Sequence, residues 1–313
     1  MNEPLVSIGV PTYNRAENLR VCLTNLTDLT YRNIEIIISD NHSTDSTTEV
    51  CKSFIKKDKR IRYYKQPVTI PGEKNFAYVL QKAKGKYFFI AADDDIRART
   101  YIADLLPLFE NYPEATTAIT DTKLFSKNIS ISIPILFHSL STPTASFYTY
   151  LLHPECVSVL LYGMHRRTQQ FTENFLRIMN ERRPFRIQGY DDSLAVFLSL
   201  QGPLLYLHKN LFSIRDTGMY LSIYQSIADI KLSKKLFIKA GRYLLFPMMF
   251  FYDWYYGILH VWRSSVSPLL KPIFFVSLTF KLIRDDIFFL YYICKAAVIF
   301  IFGLFRKINN PHP

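Results

Sequence analysis

Short apolar runs alternate with amphipathic stretches along the first hundred residues, and the alternation predicts strand, helix, strand, helix. Val6-Ser7-Ile8-Gly9-Val10 is a β-branched strand that Pro11 is expected to stop, and Thr12-Tyr13-Asn14-Arg15 is a polar loop. A helix from about 17 to 29 follows, with Leu19, Val21, Cys22, Leu23, Leu26 and Leu29 as its apolar stripe. Ile34-Glu35-Ile36-Ile37-Ile38 is a second strand ending in Ser39-Asp40-Asn41-His42-Ser43-Thr44-Asp45. Ser43 or Thr44 can cap the next helix, which turns Val50, Phe54 and Ile55 inward. Ile61-Arg62-Tyr63-Tyr64 is a third strand, and a helix from about 73 to 84 follows Pro71-Gly72. The run 86–91 is a buried strand that delivers Ala92-Asp93-Asp94-Asp95. Such alternation with short turns predicts an α/β fold with a parallel, Rossmann-like sheet flanked by helices.

Further on, 115–125 reads as a strand, 126–146 as a long connection or flap over the site with some strand in it, and 156–163 as another strand. A helix over 171–179 precedes Gln188-Gly189-Tyr190-Asp191-Asp192, which opens a helix carrying Leu194, Val196, Phe197 and Leu200. Strand residues 204–208 and 211–216 close this half. His165, isolated from other candidate ligands, reads as a packed or solvated histidine.

The polar loops gather at strand C-termini, where open α/β sheets bind ligands. Three adjacent aspartates repel one another unless a cation or a donor-rich ligand neutralises them, and hard oxygen donors suit Mg²⁺ or Mn²⁺. A solvated, helix-capping turn explains the same residues without a metal. Asp40 can be an Asx-turn residue, Tyr13 a cover for the sheet end, Lys74 a solvated helix residue, and Asp191-Asp192 an acidic pair facing a helix dipole. The chain has no Gly-x-Gly-x-x-Gly and no Gly-Lys-Ser/Thr loop, which excludes the usual dinucleotide and P-loop devices.

Composition adds a second region. Of the 313 residues 49% are hydrophobic and 15% aromatic, which excludes a disordered chain. The formal charge is +12, and from residue 231 onward twelve Lys or Arg face three Asp, so nine of those excess charges lie in the last quarter. There they are interleaved with long apolar runs, a pattern that favours an anionic membrane surface over nucleic acid. Stretches 243–262 and 287–305 approach the length of a membrane span, but Pro247, Asp253, His260 and Lys295 interrupt them. Helices lying in the membrane interface fit better. We expect a catalytic domain over 1–228, a basic, aromatic-rich helical membrane-associating region over 229–313, and peripheral or monotopic attachment to the inner face of the cytoplasmic membrane. The four cysteines form no CxxC pair, and Met1-Asn2-Glu3-Pro4 runs at once into a strand, so a reducing, cytosolic setting is expected.

Residues 6–15, 36–47 and 92–95 together resemble the family 2 glycosyltransferases of GT-A fold, with the bacterial surface-polysaccharide enzymes of abequosyl- and rhamnosyl-transferase type as the best match. The resemblance covers roughly 5–215. It implies a nucleotide-diphospho-sugar donor (UDP, dTDP or GDP), Mn²⁺ or Mg²⁺, inversion at the anomeric carbon and a lipid-linked saccharide acceptor. It implies that Pro11, Tyr13, Arg15, Asp40, Lys74 and Asp93 surround the nucleotide. It also implies that Asp94, with Asp93 and Asp95, forms the metal-binding motif; Ala92 stands at the first acidic position of one register, so which two carboxylates serve stays open. In the family the pair at 191–192 is usually Glu-Asp, and the resemblance makes Asp192 the general base, with Asp191 beside it. Gln-x-x-Arg-Trp of processive members is absent, so transfer of one sugar is expected. The competing readings are a sugar-1-phosphate nucleotidyltransferase, which would want a Gly-rich N-terminal loop, and a non-catalytic scaffold of the same fold.

Overall fold

The computed structural model describes residues 3–125, 130–133, 156–181, 190–215, 261–262, 268 and 271–279. Those up to 215 belong to one compact unit; Val261, Trp262, Pro268 and the helix over 271–279 belong to a second.

In the first unit, β1 (Val6–Thr12), β2 (Ile34–Asp40), β3 (Ile61–Lys65) and β4 (Tyr87–Ile90) lie parallel in the order β3-β2-β1-β4. The first three are linked by α1 (Ala16–Thr27) and α2 (Thr47–Ile55), and α3 (Gly72–Lys82) leads into β4. Residues alternate between faces of the sheet. Val6, Ile8, Val10, Ile36, Ile38 and Phe89 join Leu19, Leu23 and Val50 in one core. The opposite face meets α3, where a Cβ on Gly9 would stand 2.6 Å from Val79 Cγ2. That close approach leaves no room for a side chain at residue 9.

Beyond β4 the sheet changes character. β8 (Met164–Arg166) pairs antiparallel to β4, and β6 (Thr117–Phe125) pairs antiparallel to β8. The long β9 (Leu204–Arg215) runs parallel to β6, β5 (Ile96–Arg97) lies antiparallel on β9, and β7 (Ser130–Ile133) hangs on β6. The sheet is therefore mixed rather than mostly parallel. Four helices accompany this half among the described residues: α4 (Tyr101–Asn111), α5 (Cys156–Leu161), α6 (Gln169–Asn180) and α7 (Tyr190–Gln201).

Three local expectations change. β1 does not stop at Pro11 but runs through it to Thr12. Gly9 accepts from Ala91 on the β4 side, so Pro11, two residues on, turns its missing N–H to that same side, past the end of the β1–β4 ladder. The apolar run from Cys156 is a helix, not a strand, and only Met164–Arg166 pair; a short continuous apolar run does not fix its own period. Neither Ser43 nor Thr44 caps α2. The cap position is Ser46, which makes no side-chain cap bond; Asp45, one residue earlier, accepts from Thr47 N–H at 3.0 Å and from Ala16 N–H, at the start of α1, at 3.1 Å. The expected connection over 126–146 lies outside the described residues except for β7. So do the stretches 287–305 and 243–262 except Val261 and Trp262. Among the described residues no helix is long and apolar enough to cross a membrane.

Candidate active site

The C-terminal ends of β1, β2 and β4 bring the predicted residues together. Thr12 and Asp40 are register partners, and the loops behind them are stitched to each other. Asn14, in a left-handed conformation (φ 51°) that Asn tolerates, donates its N–H to Ser43 Oγ at 2.9 Å, and its side-chain oxygen accepts from Thr44 N–H at 2.8 Å. Tyr13 stands out from this platform, 47% exposed, while Pro11 is buried in β1 beneath it.

Asp40 is fully buried. One oxygen accepts from Ser43 N–H at 2.8 Å and the other from Tyr63 OH at 2.7 Å. Of the two roles open to it, the described geometry fills the turn-forming one. The carboxylate in turn pushes the Tyr63 hydroxyl's titration up, after the larger effect of burial. Asn41 clamps the next loop, exchanging two 2.8 Å hydrogen bonds with the backbone of Ile70. Ser39 and Asn75 pair at 2.6 Å, which fixes the start of α3 against β2. Lys74 sits exposed on that first turn.

The aspartates form a tight turn after β4, with Asp95 N–H bonded to Ala92 O at 3.2 Å. Asp93 is buried and accepts a short 2.6 Å hydrogen bond from Thr12. Asp94 is partly exposed and holds Arg15 Nη1 at 2.5 Å; the same guanidinium nitrogen lies 3.8 Å from Asp93. Asp95 is buried and faces the end of β9, where Arg215 N–H approaches at 3.4 Å. Arg215 Nε lies 3.4 Å from Asp94 O. Burial raises Asp93 to about 6 against the pull of Thr12 and Arg15, and raises Asp95 to about 7 against the pull of Arg97.

Arg97 has no signal in the sequence, where Ile96-Arg97-Ala98-Arg99 reads as a surface turn. It is fully buried, with its guanidinium carbon 3.6 Å from the centre of the Phe212 ring and 5.2 Å from that of Tyr101. Nη2 donates to Ile90 O at 3.1 Å and Tyr162 O at 3.2 Å, while Nε and Nη1 have no hydrogen-bond partner among the described residues. A fixed cation thus lies under the acidic turn and an exposed one, Arg15, lies over it. Thr12, Asn14 and Asn41 were also missed as site-forming residues; the signal for each was only a polar residue at a strand end.

Asp191 and Asp192 fall in the first turn of α7, as expected, and their side chains lie outside the described set. His165 is structural. It is fully buried against Phe171, with Nδ1 3.1 Å from the Thr117 hydroxyl and Nε2 3.3 Å from Leu161 O. The carbonyl can only accept, so Nε2 carries the proton and Nδ1 accepts from Thr117.

A divalent cation fits this turn as a partial site. Among the described residues no three His, Cys, Asp or Glu side chains converge on one point. Hard cations that use one or two carboxylates plus substrate phosphates need no such cage. The crowded carboxylates already draw a cation, Arg15, to that place.

A parallel β3-β2-β1-β4 sheet with an acidic turn at the end of β4 and a mixed second half defines an α/β fold of GT-A type. Residues 7–165, about half of the chain, match the family Glycosyl transferase family 2, and the chain belongs to that family. It is similar to glycosyltransferase GlyA of Streptococcus pneumoniae, 31% identical over 218 residues, covering 69% of this chain and 29% of that protein. It also resembles the abequosyltransferase RfbV of Salmonella typhimurium, 36% identical over 104 residues (32% of this chain, 31% of the other). The GalNAc(5)-diNAcBac-PP-undecaprenol beta-1,3-glucosyltransferase of Campylobacter jejuni is 35% identical over 97 residues (29% and 30%). The chain thus spans about a third of the length of these curated relatives. Among solved structures, S. aureus TarS 1-349 in complex with UDP-GlcNAc has the same fold. The TM-score is 0.61 at 13% identity, over 88% of this chain and 72% of that one.

Proposed function

We propose that the chain transfers a single sugar, with inversion at the anomeric carbon, from a nucleotide-diphospho-sugar to a lipid-linked saccharide acceptor in bacterial surface polysaccharide synthesis. The observation that carries this reading is the acidic turn at the end of β4, held against Arg15 and Thr12 from the end of β1. Tyr13, Arg15 and Lys74 would contact the nucleotide, and Pro11 and Asp40 would form the floor that keeps Tyr13 and the 43–48 turn in place. Asp94, with Asp93 or Asp95, would hold Mn²⁺ or Mg²⁺, which supplies neutralisation of charge on the departing nucleoside diphosphate. Asp192 would take the proton of the acceptor hydroxyl as the anomeric centre gains oxocarbenium character, and Asp191 would support it.

The acceptor assignment draws on the lipid-linked substrate in the name of the C. jejuni relative and on the basic, aromatic last quarter of the chain. A surface of that composition suits the anionic cytoplasmic face of a membrane. Within the second unit, Lys271 caps Trp262 O at 2.6 Å and lies over its ring at 5.7 Å, and Trp262 is 65% exposed. Full-length protein should therefore float with phosphatidylglycerol vesicles and not with phosphatidylcholine ones.

The deciding experiment is a screen of UDP-, GDP- and dTDP-sugars, with and without Mn²⁺, on three proteins. Wild type should bind and turn over one donor. Asp192→Asn should keep donor binding and lose transfer, and Asp94→Ala should lose Mn²⁺-dependent donor binding. Normal turnover by Asp192→Asn would move the base elsewhere, and unchanged donor binding by Asp94→Ala would remove the ligand assignment.

A further inference from the structure

Of the cations at the acidic turn, Arg97 and Arg15 differ in one respect that matters for a ligand. Arg97 is clamped between rings and bonded to two carbonyls, so it cannot leave without opening the core. Among the described residues the Arg15 guanidinium is held by one charge-assisted hydrogen bond to Asp94 at 2.5 Å, with Asp93 at 3.8 Å. Its side chain is 43% exposed, against 9% for Asp93 and 17% for Asp94, so the cation lies on the solvent side of the pair. Its backbone is fixed independently: the N–H reaches Thr47 Oγ1 at 3.3 Å, and the carbonyl accepts from Leu19 N–H at 2.9 Å at the start of α1. The guanidinium can therefore swing while the residue stays anchored. A mobile cation at the outer carboxylates occupies the position that a metal bound to Asp93 and Asp94 would need, and two cations cannot share it.

We infer that Arg15 is an exchangeable counter-cation, which holds Asp93 and Asp94 while no donor is bound and passes to the donor's diphosphate when a divalent cation takes over the carboxylates. This rests on the proposed metal-dependent transferase reading and deepens it. In the free protein Arg15 prevents two close carboxylates from repelling each other, and it also makes them a weaker trap for a metal arriving alone. Once the diphosphate arrives with the metal, the guanidinium finds an anion of matching geometry a short swing away. Metal and nucleotide should then bind cooperatively, because each removes a cost that the other would meet alone.

The exchange predicts opposite signs for two affinities in one variant, which a purely structural role would not produce. At pH 8, where the carboxylates are ionised, Mn²⁺ alone is titrated into full-length wild type, Arg15→Gln and Arg15→Lys, with electron paramagnetic resonance of free Mn²⁺ as readout. Arg15→Gln should bind Mn²⁺ about fivefold more tightly than wild type, and Arg15→Lys should stay near wild type. UDP, GDP and dTDP are then titrated at saturating Mn²⁺, and the nucleotide that wild type binds most tightly should bind Arg15→Gln roughly tenfold more weakly. If wild type binds Mn²⁺ but Arg15→Gln binds it no more tightly, Arg15 does not compete and the exchange is wrong, while the metal reading stands. If neither protein binds Mn²⁺, with or without a nucleotide, the metal reading and the exchange fall together.

Discussion

His165 makes the stability of the first unit depend on pH with a sign that can be worked out. The ring is fully buried, donates from Nε2 to Leu161 O and accepts at Nδ1 from Thr117, so a second proton at Nδ1 would have to turn that hydroxyl's own hydrogen away and sit in an apolar setting. Burial lowers its titration from 6.5 to about 4. Below about pH 6.5 the unfolded chain takes up a proton that the folded one refuses until about pH 4, so the unfolded state gains and stability falls as pH falls. The slope cannot exceed one proton, about 1.4 kcal/mol per pH unit, and the whole interval is worth about 3 kcal/mol. Asp93 and Asp95 act in the opposite sense, because their raised values make the folded state the better proton acceptor in a similar window. Urea unfolding followed by far-UV circular dichroism from pH 4.5 to 8, on wild type and His165→Asn, isolates the histidine, since the aspartates contribute equally to both. Relative to the variant, wild type should lose about 2 kcal/mol or more between pH 7.5 and 4.5. Parallel pH profiles would refute the reasoning and mean that the imidazolium finds a partner in the folded chain.

Three further outcomes are expected. Thr12→Val removes the 2.6 Å donor to Asp93, so the Asp93 carboxyl, followed by ¹³C NMR, should titrate clearly above about 6; an unchanged midpoint would make that hydrogen bond unimportant. Arg97→Met keeps the bulk but removes the guanidinium's hydrogen bonds to Ile90 O and Tyr162 O and the positive charge near Asp95, which should cost roughly 2–4 kcal/mol in chemical denaturation. Stability equal to wild type would mean that the unpartnered Nε and Nη1 already cancel what Arg97 contributes. Gly85→Ala would set a Cβ 2.6 Å from Leu5 O and 2.7 Å from Ser7 N, both backbone, and should lose more than about 2 kcal/mol, whereas Gly72→Ala meets nothing within 4 Å and should be neutral or slightly stabilising. Equal melting temperatures for the two variants would contradict that contrast.

The parallel half of the sheet was legible because its signals are local. β1, β2 and β4 are apolar or β-branched runs that end in polar clusters, and each cluster lands at a strand C-terminus. The mixed half was less legible because its partners are distant in sequence and β8 is only three residues long. Nothing near Met164 says that it will pair with β4 and β6. The run from Cys156 carried no period and turned out helical. Within the site, the positions of Tyr13, Arg15 and Asp93–Asp95 followed from strand ends, but the pairing of Arg15 with Asp94 did not, since it joins residues 79 positions apart. Arg97 was illegible for a further reason. A charged side chain in a short polar stretch normally points to water, and only the ring faces of Phe212 and Tyr101, brought in from distant segments, make an interior place for it.

The end of β9 is tied to the acidic turn through its last residue. Arg215 is the last residue of that strand, and it is also the one whose backbone N–H meets Asp95 and whose side chain meets the carbonyl of Asp94. The pairing of β9 with β5 and β6 therefore fixes where that N–H stands beside the aspartates. A change that slips the register of β9 would move a hydrogen-bond donor of the acidic turn directly, with no relay between them.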